Sequence, residues 1–357
     1  MKILVIQQKM IGDVLVSSIL CENLKLAHPN AQIDYLIYDS TKSVIDGAKY
    51  IDNQILFTEK ERNSKIALLQ FALKIRKEKY DIIIDSYAKL ESQIIVFFSG
   101  AKRKISFKKM YSKLFYTDVV ERKNDYNSNL GLIIEQRLAL LEPLNVEKKI
   151  TFPTINVSQN ENEFAKRTFQ NHGINDTKKT IMVSVIGSEA SKTYPLHYMA
   201  NLIDVVSKNR DINILFNYIP EQIKEAKLVY NYCNPESQSK IYFEVIGKSI
   251  REFIALMNAC DCIVGNDGGA INIAKALKKP SFILFSPWID KKGWALLEDG
   301  KTHISFHLNE IKPHLFKGKT PKQIKTENEK LYLEFKPELV KESLKEFLAT
   351  NIDEFHS

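Results

Sequence analysis

The first residue with evident chemical capacity is Asp13. It ends the segment Gln8-Lys9-Met10-Ile11-Gly12-Asp13, which follows an apolar opening run, Lys2–Gln7. That run reads as a strand. Val14–Ala27, with Val14, Ile19, Leu20, Leu24 and Ala27 at helical spacing, reads as a helix. A carboxylate at the carboxyl edge of a sheet is placed to take a proton from a hydroxyl. The same carboxylate can also cap the following helix or complement its dipole. The local residues leave both readings open. The segment has neither three spaced glycines nor Gly-Lys-Ser/Thr, so a dinucleotide fingerprint and a Walker phosphate loop are both excluded here.

Two further segments offer groups suited to a phosphate. Val185-Ile186-Gly187-Ser188-Glu189-Ala190-Ser191-Lys192-Thr193-Tyr194-Pro195 follows an expected strand at Thr180–Val185. Gly187 permits close backbone approach, Ser188 supplies a hydroxyl and Lys192 a mobile cation. The bland alternative is a surface loop with a solvated lysine. Val264-Gly265-Asn266-Asp267-Gly268-Gly269-Ala270-Ile271-Asn272 joins a strand, Cys260–Val264, to a helix, Ala270–Leu277. Consecutive glycines before a helix expose N–H groups that can hold a pyrophosphate. A tight turn capped by Asp267 is the alternative. Glu221, in Tyr218-Ile219-Pro220-Glu221, is a weaker candidate for sugar hydroxyls, since a Pro-Glu pair also starts helices.

The elements that must position these groups alternate strand and helix through both halves of the chain. The first half adds strands at Gln32–Ile37, Asp52–Phe57 and Tyr80–Asp85, with helices at Ile66–Lys77, Leu90–Ser99 and Leu130–Leu141. The second half repeats the theme: strands at Ile212–Phe216, Ile241–Val245 and Ser281–Phe285, and helices at Leu196–Lys208, Ile223–Tyr232 and Ile250–Met257. This alternation implies βαβ units and parallel sheets. The expected class is α/β, with two Rossmann-like doubly wound domains facing a cleft. The expected boundaries are residues 1–157, residues 158–338 and a terminal amphipathic helix within 339–357. Ligands of such sheets bind beyond the carboxyl ends of the strands.

The net charge of +8 points to anionic partners. Much of it falls at Lys102, Arg103, Lys104, Lys108, Lys109 and Lys113, interleaved with Phe107, Met110, Tyr111, Phe115 and Tyr116. A solvated helix face and a basic, aromatic surface for a membrane or polyanionic acceptor are both open. Four cysteines without a companion His cluster read as buried thiols rather than metal ligands. No apolar run is long enough to span a bilayer, and the opening strand is too short for a signal-peptide core. A cytoplasmic location is the expectation.

The segments together resemble glycosyltransferase family nine, the lipopolysaccharide heptosyltransferases. Met1–Ile6 followed by Ile11-Gly12-Asp13-Val14 is similar to that family's N-terminal signature. Val264-Gly265-Asn266-Asp267 through Gly269, then Ala276-Leu277, Lys279-Pro280 and Phe285-Ser286-Pro287, is similar to its C-terminal one. Lys192-Thr193-Tyr194-Pro195 resembles its lysine, aromatic, proline element. The resemblance implies a GT-B fold and inverting, metal-independent transfer of a heptose-like sugar from a nucleotide-diphosphate donor, typically ADP-heptose, with no cofactor. It makes Asp13 the base. It gives Gly187, Ser188, Lys192, Glu221, Asp267, Gly268, Gly269 and Asn272 to the donor, and brings the final helix back onto the first domain. Gly12, Lys102, Arg103 and Lys104 are the expected contacts to an anionic glycan or glycolipid acceptor, at the inner face of the cytoplasmic membrane. Two positions depart: the family usually has Thr at Gly268 and His at Asn272. A different sugar donor, or a non-catalytic nucleotide- or glycan-binding protein of the same fold, are the alternatives they raise. No nucleic-acid partner is expected, since no reading motif is present.

Overall fold

The computed structural model describes residues 1–122, 125, 128–208 and 210–353, and the chain divides into two compact units, Met1–Asn156 and Val157–Ser357. The first is built on six parallel strands: β1 (Lys2–Ile6), β2 (Gln32–Tyr38), β3 (Asn53–Phe57), β4 (Ile82–Asp85), β5 (Arg103–Phe107) and β6 (Asp118–Val120). Their order is β3-β2-β1-β4-β5-β6. Ile3, Leu4, Val5 and Ile6 are all fully buried, because helices cover both faces of a parallel sheet. The order reverses between β1 and β4, so the loops after these two strands flank the topological switch point.

The second unit repeats the plan with β7 (Lys179–Ser184), β8 (Ile212–Asn217), β9 (Cys262–Asn266), β10 (Ser281–Leu284) and β11 (His303–Phe306), ordered β11-β10-β9-β7-β8. All are parallel. The switch point here falls between β7 and β9. The segments singled out around Lys192 and around Asp267 are the two that leave these strands.

Several sequence expectations change. Ile241–Val245 is a single bridge, Ile241 to Ile214, because the chain turns at once, with the Val245 N–H on the Tyr242 carbonyl. The lysine-rich stretch at 102–116 is not a helix face. It is β5 followed by a loop, its period-two core positions Ile105 and Phe107 fully buried between charged neighbours. The final helix, Lys341–Leu348, continues as a wider turn to Asp353 and packs into the core of the second unit. Leu344, Phe347 and Leu348 join its core, Phe347 lies 5.7 Å from the Phe282 ring, and Arg210 ties Asp353 at 3.0 Å. That apolar face is already occupied. Residues 354–357 of the expected tail lie outside the described residues. The four cysteines are free and buried.

Candidate active site

Asp13 belongs to the helix rather than to a loop before it. The helix runs Ile11–Ala27, with Met10 as its N-cap residue, so Asp13 sits in the first turn. Its Oδ2 accepts the Met10 N–H at 3.3 Å, which satisfies an otherwise orphan donor of the helix start. Its Oδ1 accepts from Arg137 Nη2 at 3.2 Å. Gly12 is buried inside the same turn. The capping reading and the chemical reading therefore describe one residue.

Arg137 is a group the sequence reading missed. It projects from the Leu132–Ala139 helix, which buries Glu135 and Gln136 beside it along with Ile134, Leu138 and Ala139. Its side chain is 5% exposed, against 21% for Asp13. Its Nε donates to Ser17 Oγ at 2.8 Å, and Ser17 pairs with Ser86 at 3.3 Å, at the end of β4. Its guanidinium also lies 5.8 Å above the Phe107 ring, with Arg122 at 4.5 Å over the same ring. Nη1 is buried and has no partner among the described residues. The signal in the sequence was a polar triplet, Glu135-Gln136-Arg137, set between apolar residues of a helical run.

Burial raises the Asp13 carboxyl above its ordinary value, and Arg137, the Met10 amide and Arg122 oppose that rise. Tyr35, fully buried with its hydroxyl on the Val14 carbonyl, and Tyr87 also face this charge. A carboxylate in such surroundings is a stronger base than one in water, yet the arginine keeps it ionisable.

Lys102, Arg103 and Lys104 lie elsewhere. They stand at the start of β5, in register with Ile82 and Ile83 of β4 and, across it, with the start of β1. That is the amino edge of the sheet, a strand length from Asp13. Arg103 is engaged by Asp118 at 2.8 Å and by the Pro143 carbonyl at 2.7 Å, and Lys104 reaches the Phe97 carbonyl. The structure does not bring these three to Asp13. Lys108 and Lys109, past the other end of β5, are on the Asp13 edge.

In the second unit the two phosphate-type segments are fastened together. Asn266, 1% exposed, donates to the Ser184 carbonyl at 2.9 Å and accepts the Tyr194 N–H at 2.7 Å. A Cβ at Gly187 would collide with the Lys192 carbonyl, so glycine is required for this close approach. The Gly187 N–H is taken by Thr193 Oγ1 at 3.1 Å. Ser188 is exposed beside it. Glu221 is also exposed, on the short turn Pro220–Gln222. Its neighbour Gln222 is the residue that reaches the segment, donating to the Gly187 carbonyl at 2.8 Å.

Lys192 Nζ lies 5.6 Å from the Trp288 ring, and Lys325 Nζ lies 4.2 Å from it. The Ser191 carbonyl collects the Ser286 hydroxyl, the Trp288 indole and the Asn328 amide at 2.7, 3.0 and 2.8 Å. Lys325 and Asn328 come from the stretch 299–336, to which the sequence reading assigned no role. Asp267 is drawn toward the same place. Burial pushes its carboxyl up to about 6, against the pull of Lys192, Lys275 and the Gly268 amide. The Gly268 N–H thus faces Asp267. Gly269 opens the Gly269–Ala276 helix. The Asn272 side chain bonds back to the Gly268 carbonyl at 3.4 Å, on its own helix. Lys275 is 2% exposed, with its amine on the Leu296 carbonyl, and burial pushes it down to about 8. It is the one cation of its helix, Gly269–Ala276. No cluster of three or more His, Cys, Asp or Glu side chains suited to a metal ion occurs among the described residues.

Two parallel-sheet units, each carrying its polar residues at the switch point, define the GT-B class of glycosyltransferases. The sequence profile of glycosyltransferase family 9 (heptosyltransferase) matches residues 68–324, and the chain belongs to that family. The match begins past Asp13. The chain is 24% identical over 296 residues to lipopolysaccharide heptosyltransferase 1 of Campylobacter coli, covering 80% of this chain and 84% of that protein. It is 23% identical over 300 residues to lipooligosaccharide heptosyltransferase 2 of Haemophilus influenzae, with the same two coverages, 80% and 84%. Among solved structures, a family 9 glycosyl transferase from Veillonella parvula superposes with a TM-score of 0.75 at 20% identity, over 93% of this chain and 97% of that one. The E. coli ADP-heptose heptosyltransferase II gives 0.66 at 18% identity, over 94% and 99%. No helix among the described residues is long and apolar enough to cross a membrane.

Proposed function

We propose that this glycosyltransferase moves a heptose-like sugar from a nucleotide-diphosphate donor, ADP-heptose in the first instance, to a hydroxyl of an anionic glycan or glycolipid such as a lipopolysaccharide core. The observation that carries the reading is the Asp13–Arg137 pair at the first switch point. A largely buried carboxylate, oriented by a buried cation as well as by the helix start it caps, suits a general base. Asp13 accepts the proton of the acceptor hydroxyl. The acceptor oxygen forms a bond to the anomeric carbon from the face opposite the nucleotide. The bond from that carbon to the diphosphate oxygen breaks, and its electron pair leaves on the phosphate. Attack from the opposite face inverts the anomeric centre.

Lys192, with Lys325 beside the same indole, neutralises the departing diphosphate, aided by the N–H groups of the Gly269–Ala276 helix start. In this reading protein cations do what a metal ion does in other transferases, and Asp267 contacts the donor sugar when protonated. Support comes from the donor named in the related solved structures: E. coli heptosyltransferase WaaC with ADP-2-deoxy-2-fluoro heptose, TM-score 0.63 at 15% identity.

The test is calorimetric binding of a panel of nucleotide-diphosphate sugars, followed by transfer to deacylated lipopolysaccharide core with and without EDTA. ADP-heptose binding and EDTA-insensitive transfer are expected. Binding without turnover of any donor would identify a non-catalytic binding protein instead. Preference for another sugar would reassign the donor and leave the chemistry in place.

A further inference from the structure

Strands β1, β4 and β5 are neighbours in the first sheet, and the loops leaving their carboxyl ends all hold large apolar side chains in solvent. Met10 follows β1, Leu90 follows β4, and Met110, Tyr111 and Leu114 follow β5. Their exposures are 61%, 68%, 87%, 67% and 70%. These loops are fastened rather than frayed. The Lys109 amine donates to the Ala88 carbonyl, which ties the β5 loop to the β4 loop. Ser112 Oγ bonds the Lys109 carbonyl at 2.9 Å, and the Tyr116 hydroxyl reaches Asp85 at 2.6 Å. The apolar residues are held outward by a built scaffold.

Cations share the rim. Lys9, Lys89, Lys108 and Lys113 are exposed on the same three loops. Lys108 is paired with Glu121, and the other three make no ion pair among the described residues. Apolar projections set among unpaired lysines match the interface of an anionic bilayer: the apolar groups enter the acyl boundary and the cations meet lipid phosphates. A free polyanionic glycan would use the lysines but leave Met110 and Leu114 in water. A second copy of this chain would bring like charges together.

We propose that the rim of Met10, Leu90, Met110, Tyr111 and Leu114, with its flanking lysines, docks the first unit on an anionic lipid surface. Asp13 is three residues past Met10 on this rim, so docking presents the base to a lipid-linked acceptor. Only that last link rests on the transferase reading. The docking itself is measured without donor or acceptor, so the two readings fail separately.

The experiment is co-sedimentation of the full chain with vesicles of phosphatidylcholine alone and of phosphatidylcholine mixed with phosphatidylglycerol. Binding to the anionic vesicles only, weakening with salt, is expected. M110S/Y111S/L114S, at exposed positions, should lower vesicle affinity about tenfold or more. K89Q/K113Q should lower it about tenfold and flatten the salt dependence. K102Q/K104Q, at the opposite edge, should bind as the unaltered chain does. The proposal is overturned if anionic vesicles are not bound, if the apolar triple variant binds them undiminished, or if K102Q/K104Q loses as much as K89Q/K113Q. Loss of deacylated core glycan binding in K89Q/K113Q but not in the triple variant, with no chain on vesicles, would overturn the proposal and make the rim a glycan surface.

Discussion

Arg137 holds Asp13 through one hydrogen bond of 3.2 Å, and is itself held by Ser17 at 2.8 Å from the same helix that carries Asp13. The pair crosses 124 positions of sequence to join the first turn of one helix to the last turn of another. It sets both where the carboxylate points and how readily it ionises.

The first prediction concerns pH. A general base at Asp13, as proposed, works only when deprotonated, so activity should fall as pH drops through its pKa. Arg137 stabilises the charged form against burial. Removing that cation in R137M raises the pKa, and the acid limb of kcat should move to higher pH. R137K, which keeps a charge but not the fork, should restore part of the shift. A variant with lower activity and an unmoved acid limb would make Arg137 a packing residue only.

Donor binding should depend on the cations around Trp288. If Lys192 meets the diphosphate as proposed, K192A removes one charged contact, and donor Kd should rise about ten- to hundredfold with the fold intact. K325A, farther into solvent, should cost about threefold. Titration of ADP against each variant reads this directly. Equal and small effects would place the diphosphate elsewhere.

Gly268 makes a gain of function testable. Its φ of 165° is extended backbone, and a Cβ there would meet nothing within 4 Å. G268T should therefore fold, cap the Gly269–Ala276 helix and add a hydroxyl where the anion is expected. Donor affinity should rise about threefold to tenfold. Loss of affinity would mean that the glycine makes room for a different donor.

Asp267 gives a stability prediction with a defined sign. Its carboxyl is raised from 3.8 to about 6, so the fold favours the neutral form. Its contribution is complete at low pH and is lost as pH rises through 6. D267N stays neutral and can still accept the Gly268 amide. Its melting temperature should exceed that of the unaltered chain by about 2–4 °C at pH 8, and match it near pH 4. A pH-independent difference would remove Asp267 from this account.

The alternation of strands and helices was legible because buried strands such as Ile3–Ile6 and Ile82–Ile84 are unbroken apolar runs. So were the three loops that leave β1, β7 and β9, since glycine and charge mark them. β5 was hidden because lysines flank its two inward residues, Ile105 and Phe107, and overwhelm a period of two. Arg137, Lys275 and Lys325 were not found for a different reason. Each acts on a residue far away in sequence, and only folding brings Arg137 to Asp13 or Lys325 to Trp288. The positions of Lys102, Arg103 and Lys104 show the same limit: charge was visible, but which edge of the sheet carries it was not.

The central claim is that Asp13 is the base for glycosyl transfer, and its most direct measurement is single-turnover transfer from bound ADP-heptose by Asp13→Asn. The account predicts donor affinity within about twofold of the unaltered chain and a transfer rate lowered about a hundredfold or more. An Asp13→Asn chain that binds the donor and transfers the sugar at close to the original rate would contradict it.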